Sequence, residues 1–267
     1  MSFVLIDKPW PQVTRITLNR PERMNAMGLE MMIELRQTLE TLSDDPGCRV
    51  IVMTGAGAAF CAGADLQGGA PLPMMAGLGK SAWSRRAFGI LEDAARTLRK
   101  TRQPVIAAVN GPAIGGGFCL AMACDIRLAG ESACFRAGGI NIGLMSAELG
   151  LSYVLPRAIG ASRSFEIMLS GRDVKADEAD RIGIVSRTVT DALLMTETLQ
   201  LAERIVAFSA LSVELTKQML WDGLDASSFE SQMNHEGHAQ LYVSMTTRNF
   251  EEAIAARREK RQPQFKD

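Results

Sequence analysis

Two glycine-rich runs and one glutamate are the residues of this 267-residue chain whose types and spacing point to chemistry. The first run, residues 50–66, reads VIVMTGAGAAFCAGADL; the second, residues 105–118, reads VIAAVNGPAIGGGF. Each passes from an apolar, β-branched stretch into a loop of small residues, and the second then opens a helix. Side chains this small let a ligand touch the main chain. The N–H groups of a first helical turn have no partner within the helix, and the helix dipole favours partial negative charge beside them. Neither run carries GxGxxG after a strand, nor GK[ST], so neither reads as a nucleotide-phosphate cradle. One such loop is most often a tight turn; two in one chain are harder to dismiss. Glu148 follows in GLMSAEL, at an expected helix start, where it is either a reactive carboxyl group or a residue that complements the helix dipole.

Other candidates read more simply. Cys119 near a helix N-terminus is in a place where thiol acidity can rise, but Phe118 to Met122 are wholly apolar, so it reads as a small buried hydrophobe. His235 and His238 are spaced i, i+3 on a polar helix and do not form HExxH, so no metal site is expected. Asp65 and Asp125 accompany the loops and are expected to hold them by hydrogen bonds. Arg257, Arg258, Lys260 and Arg261 read as an exposed helix face.

The elements that must position these groups alternate. Residues 13–18, 49–54, 105–109, 126–129 and 184–189 read as strands. Residues 28–42, 88–99, 118–124, 162–169 and 193–208 read as helices, the first with Met31, Met32, Leu35, Leu39 and Leu42 on one stripe. Past about residue 190 the strand signals stop, and 211–220, 228–243 and 248–260 read as helices. The expectation is an α/β body over 1–190 and a helical region over 191–267. Residues 67–84, rich in Gly, Pro and Met, are expected to be irregular: either a lid over an apolar ligand or a surface excursion.

Composition bounds the partners. With 47% hydrophobic residues, 22% charged and a net charge of −1, the chain has ordinary globular usage and no general attraction for nucleic acid or anionic membrane. No apolar run reaches the length of a spanning helix, and the first ten residues hold no signal-peptide core. Five cysteines without CxxC spacing fit reduced thiols in a cytoplasmic protein.

The loop residues Ala62-Gly63-Ala64-Asp65-Leu66 and Gly111-Pro112-Ala113-Ile114-Gly115-Gly116-Gly117 resemble the two signature loops of the crotonase, or enoyl-CoA hydratase/isomerase, superfamily. Further matches run in order along nearly the whole chain. They are Asn19-Arg20-Pro21 with Asn25-Ala26, Ala121 to Asp125, Leu155-Pro156-Arg157 with Ile159-Gly160, Leu169 to Arg172, Gly183-Ile184-Val185, and Glu259-Lys260-Arg261 to Phe265. The resemblance implies a right-handed spiral of ββα turns. It also implies C-terminal helices that pack homotrimers, often paired into hexamers.

By the same resemblance the ligand is an acyl-CoA thioester. The N–H groups of Ala64 and Gly116 would form an oxyanion hole for its enolate. Arg23, Met24, Ala62 and Lys260 would meet the CoA, Lys260 from a neighbouring subunit. Coenzyme A is then part of the substrate, with no further cofactor or metal. The hydratases of this family place one glutamate where this chain has Cys119 and a second where an ungapped count puts Gly139. Both usual carboxylates are absent. Some isomerases and dehalogenases of the family bring an acid in from the region of Glu148. The chain therefore reads as an isomerase or atypical hydratase with catalytic Ala64, Gly116 and Glu148. The alternative is a non-catalytic acyl-CoA-binding or scaffold subunit. RNA binding, a third reading, lacks the expected charge excess.

Overall fold

The apolar runs of the sequence become the parallel strands of one sheet. The computed structural model describes residues 2–68 and 72–266. The strands are β1 (Val4–Trp10), β2 (Val13–Leu18), β3 (Val50–Gly55), β4 (Val105–Val109), β5 (Pro112–Ile114), β6 (Ile126–Gly130), β7 (Cys134–Arg136), β8 (Val174–Lys175) and β9 (Arg187–Val189). The helices are α1 (Leu29–Asp44), α2 (Lys80–Lys100), α3 (Gly116–Ala123), α4 (Leu151–Ile159), α5 (Ala161–Ser170), α6 (Ala176–Ile182), α7 (Leu194–Val206), α8 (Ala210–Asp225), α9 (Phe229–Thr246) and α10 (Asn249–Glu259).

The large sheet has the order β1-β2-β3-β4-β6-β9 and the small one β5-β7-β8. Only β1 runs antiparallel in the large sheet; β2 pairs with β3 in parallel from Val13↔Val50 to Leu18↔Gly55, and β4 with β6 from Ile106↔Ile126. Each of two successive turns sends one strand to the large sheet (β4, then β6) and a short one to the small sheet (β5, then β7). This is the ββα spiral expected from the sequence. Alternation along the strands divides the core. Ile51, Met53, Val105 and Ala107 face α1, α2 and α3, while Val50, Val52, Ile106 and Ala108 face Leu194 and Ala202 of α7. Strands buried on both faces are what a continuous apolar run encodes.

Several expected elements shift. The run at 184–189 is a strand only over Arg187–Val189, because Ile184 and Val185 turn into the core behind the α6 cap at Gly183. Of the segment 67–84, residues 69–71 lie outside the described residues; Pro73–Met75 form a 3-10 turn, and α2 already begins at Lys80. The breakers end at Gly79, and beyond it Ala87, Ala94, Ala95 and Leu98 form a helical stripe against the core. Helix α7 lies past residue 190 yet covers the sheet, so the helices that leave the sheet begin with α8.

Helix α8 is tied to the body by a buried lysine. Lys217 Nζ lies 2.9 Å from Asp125 Oδ2 and also donates to the carbonyls of Leu98 and Gln103, while Trp221 Nε1 donates to Asp125 Oδ1 at 2.6 Å. Beyond it the packing thins. Phe229, Met233 and Leu241 of α9 and Phe250 of α10 are exposed, and Val243 is half-buried. No helix among the described residues is long and apolar enough to cross a membrane.

Candidate active site

The two glycine runs leave neighbouring strands, β3 and β4, at their C-terminal ends, and the backbone then knits them together. Cys61 N–H donates to Pro112 O at 3.0 Å and Ile114 N–H returns to Cys61 O at 2.9 Å; Gly115 N–H donates to Arg136 O of β7. On the other side Met27 N–H donates to Gly63 O at 2.7 Å, and Asp65 N–H to Met27 O. This ladder uses the N–H groups of Asp65, which follows Ala64, and of Gly115, which precedes Gly116, and includes neither Ala64 nor Gly116 as a donor. Among the described residues neither N–H meets an acceptor. They are close neighbours, since a Cβ built on Gly63 would stand 3.3 Å from the Gly116 nitrogen.

The sequence makes this approach possible through absent side chains. Gly115 adopts φ +52 as it turns into α3, a conformation that favours glycine. A Cβ on Gly117 would stand 2.0 Å from Cys61 O, so the loops touch backbone to backbone. All eight residues of α3 are buried. The free N–H groups of its first turn, with their positive dipole end, therefore sit at the end of a helix that has little freedom to move.

Two asparagines brace the loops. Asn25, fully buried, donates to Ala56 O and Ala59 O and accepts from Arg20 N–H. Asn110 donates to Gly55 O and Gly57 O and accepts from Gly55 N–H. Neither was singled out for a role from sequence, although both lie within quoted runs, and a polar side chain among glycines was the available signal. Asp65 accepts from Arg20 Nη2 at 2.8 Å and from Gln67 N–H. Burial alone would raise its pKa, but the Arg20 hydrogen bond, the Gln67 N–H and the Arg20 and Arg23 charges hold it below the ordinary carboxylate value.

Glu148 stands beside the loops. Its Oε1 lies 3.4 Å from where a Cβ on Gly115 would be. The residue precedes α4 in a turn whose N-cap is Gly150, and its carbonyl accepts from Leu151 N–H, so it is not in the first helical turn itself. Burial raises its pKa above the ordinary glutamate value. The turn depends on Ser146, a buried hydroxyl that accepts from Ile140 N–H and donates to Ala137 O. Sequence reasoning missed Ser146, because a serine in a loop gives no signal of being buried.

Cys119 is buried and its thiol donates to Glu148 O at 3.5 Å. Burial first, and the Glu148 charge second, push its pKa well above the ordinary thiol value, so it remains an un-ionised thiol. At Gly139 there is no room for a side chain, because a Cβ would begin 2.0 Å from Met145 O.

Of the expected CoA contacts, three gather on one rim. Ala62 N–H donates to Met24 O at 2.9 Å, Met24 is exposed in a left-handed conformation, and Arg23 hydrogen-bonds Gln67. Lys260 is not brought to them; it caps α10 in a left-handed conformation, and no hydrogen bond or ion pair among the described residues links it to either loop. His235 and His238 are exposed on α9. Among the described residues no three His, Cys, Asp or Glu side chains are grouped to hold a metal, and the five cysteines are free and buried.

The chain has close counterparts in sequence and fold among known proteins. The family model described as enoyl-CoA hydratase/isomerase matches residues 11–267. The chain is 54% identical, over 100% of its length and 94% of the other, to a Mycobacterium tuberculosis protein named probable enoyl-CoA hydratase EchA12. A crystal structure of a probable enoyl-CoA hydratase/isomerase from Mycobacterium abscessus, 54% identical, superposes with a TM-score of 0.95 over 99% of each chain. A monofunctional enoyl CoA isomerase from M. smegmatis is 49% identical and superposes with a TM-score of 0.74 over 87% of this chain and 99% of that one.

Proposed function

The chain belongs to the enoyl-CoA hydratase/isomerase family, and from that premise we propose that it is an enoyl-CoA isomerase that uses a single carboxyl group. The observation that carries this reading is the carboxylate count at the loops. Glu148 lies against Gly115, while the positions of the two usual glutamates hold a buried thiol and a glycine with no space for a side chain.

Hydration needs one group to activate water and another to deliver a proton. Isomerisation needs only one. In a 3-enoyl-CoA, the Glu148 carboxylate takes a proton from the α-carbon. The electron pair passes into the thioester as a dienolate, whose oxygen the Ala64 and Gly116 N–H groups stabilise. The same carboxyl group then returns the proton to the γ-carbon, giving the 2-enoyl isomer with no atom gained or lost. Donors aimed at charge that develops only in the transition state raise the rate rather than merely bind. A pKa raised by burial suits a group that must both take and give the proton.

In this reading coenzyme A is part of the substrate and no further cofactor is needed. Arg23, Met24 and Ala62 hold its nucleotide end. Lys260 reaches the CoA of a neighbouring subunit. The exposed apolar residues of α9 and α10 pack a homotrimer or a pair of trimers; a stable monomer in sedimentation at micromolar protein overturns that assembly. Free cysteines fit a cytoplasmic setting.

The test is a panel of 2-enoyl-, 3-enoyl- and 3-hydroxyacyl-CoA esters. Interconversion of the 3-enoyl and 2-enoyl esters, without formation of the hydroxy ester, is expected. Hydration at a comparable rate overturns the single-carboxyl reading. Binding of acyl-CoA without turnover of any ester replaces it with a binding subunit.

A further inference from the structure

Leu149, the residue after Glu148, has a feature that the mechanism does not use. Its φ is +45, a left-handed conformation that is strained for a branched side chain. The side chain is half-buried against the core, and its Cδ1 lies 3.5 Å from where a Cβ on Gly116 would stand. On its other side it lines a solvent-open cavity of about 290 Å³ between α2, α3 and α4. The inner wall of that cavity is apolar: Ala95 of α2, Cys119 and Ala123 of α3, and Val154 of α4. Its outer rim is polar, with Glu92, Arg96, Arg99 and Tyr153. Cys119 and Ala123 follow Gly116 at i+3 and i+7, so the cavity lies along the helix face that begins at Gly116, whose own Cβ position is met by Met27 and Leu149. Leu149 is the partition between Gly116 and the cavity.

We propose that this cavity receives the distal end of an unbranched medium-length acyl chain, and that Leu149 is the specificity-determining gate the chain must displace to enter. The inference rests on the acyl-CoA reading above. The position that holds a glutamate in the two-carboxyl pattern holds a smaller, apolar thiol here, and that leaves the wall between the thioester site and the cavity uncharged. From Gly116 to Ala123 the helix advances about 10 Å, and an extended chain gains roughly 1.2 Å per bond. The chain length that reaches Ala123 is therefore about eight to ten carbons. A strained backbone at the gate favours its movement, because leaving the left-handed conformation relieves part of the strain.

Saturated butyryl-CoA and decanoyl-CoA test this by calorimetric titration, with no dependence on turnover. In the wild-type protein decanoyl-CoA is expected to bind at least about tenfold more tightly than butyryl-CoA, since the added methylenes leave water. Ala123→Phe fills the far end of the cavity and should bring the two affinities together. Ala95→Leu does so from the opposite wall with a smaller group, and decides the matter if the phenylalanine variant does not fold. Leu149→Gly suits the left-handed backbone, removes the gate and should widen the preference for decanoyl-CoA. Equal wild-type affinities, or a preference unmoved in folded cavity variants, overturn the proposal. Failure of both esters to bind is a different result and overturns the acyl-CoA reading itself.

Discussion

The paired glycine loops and the turn that carries Glu148 lie against each other but are tied down to different degrees. The loops are fixed by main-chain hydrogen bonds between Cys61, Pro112, Ile114 and Arg136, and by the absence of side chains at Gly115 and Gly117. The turn from 138 to 150 is held by a few short-range bonds, Leu144 N–H to Gly139 O and Gly143 N–H to Ile140 O, together with the Ser146 hydroxyl and the Cys119 thiol on Glu148 O, and Leu144 and Met145 are exposed around it. Backbone donors need rigidity, because a dipole aimed in advance costs no reorganisation when charge develops. A proton carrier must reach two carbons in succession, and a side chain on a lightly held turn can do that. The difference teaches that the two halves of the site are separable, and substitutions should fail in distinct ways.

The largest effect should come from Glu148→Gln, which keeps the shape and removes the proposed proton carrier. A turnover loss of about 10²–10⁴-fold is expected, read as kcat on the best ester of the panel; wild-type kcat would reduce Glu148 to a turn residue. The same variant should be more stable than wild type at neutral pH. Burial raises the folded pKa of Glu148, so the native state binds more protons than the unfolded one between the ordinary and the raised value. Wild-type stability is therefore full below that window and falls as pH rises through it. The stability advantage of the glutamine variant should shrink as pH drops through the same window. Wild-type turnover should instead rise with pH there, as the carboxylate forms.

Gly116→Pro attacks the rigid half. It deletes one N–H at a first helical position that proline tolerates, and a Cβ there meets the flexible end of Met27 rather than backbone. A kcat loss of about 10²–10³-fold with a native circular dichroism spectrum is expected. Unchanged turnover in the folded variant would move the oxyanion site elsewhere. The smallest effect belongs to Ser146→Ala. It leaves the Ile140 N–H and the Ala137 carbonyl without their side-chain partner, at a cost of about 1–3 kcal/mol in denaturant unfolding. Turnover should fall less than in the other two variants, and a loss as large as theirs would mean that the turn is as rigidly built as the loops.

Legibility in the sequence follows the same division. The strands β3 and β4 were legible because runs such as 105–109 are apolar on both faces, and β2 because residues 13–18 alternate apolar and polar. The loops were legible because glycine is conspicuous where backbones meet, as Gly117 meets Cys61. Short strands such as β5 and β8 were not, since two or three residues show no periodicity. The helix start at Lys80 was hidden among glycines and methionines. Glu148 was found as a residue but not as a geometry: nothing in GLMSAEL shows that its carboxyl group reaches Gly115, or that the next leucine takes a left-handed turn. The missing room at Gly139 depends on Met145, six residues away, and appears only once the turn is closed.

The parallel register of the large sheet has a consequence for how the chain acquires its shape. Three of the four parallel pairings in that sheet join residues several dozen positions apart, with Val13 meeting Val50, Ile51 meeting Val105 and Leu128 meeting Arg187, and the fourth joins Ile106 to Ile126. Each pairing must close a long loop before it yields any contact, so the entropy is lost first and the burial gained later. The order of synthesis matters for the same reason. β3 has no neighbour on its far side until β4 has emerged, and its buried residues Ile51 and Met53 wait for α2 and α3 to cover them. The two strands that carry the glycine loops are thus the middle of a slowly assembled sheet. A newly made chain passes through a stage in which both loops are present, still unjoined, with an unpaired apolar strand edge beside them.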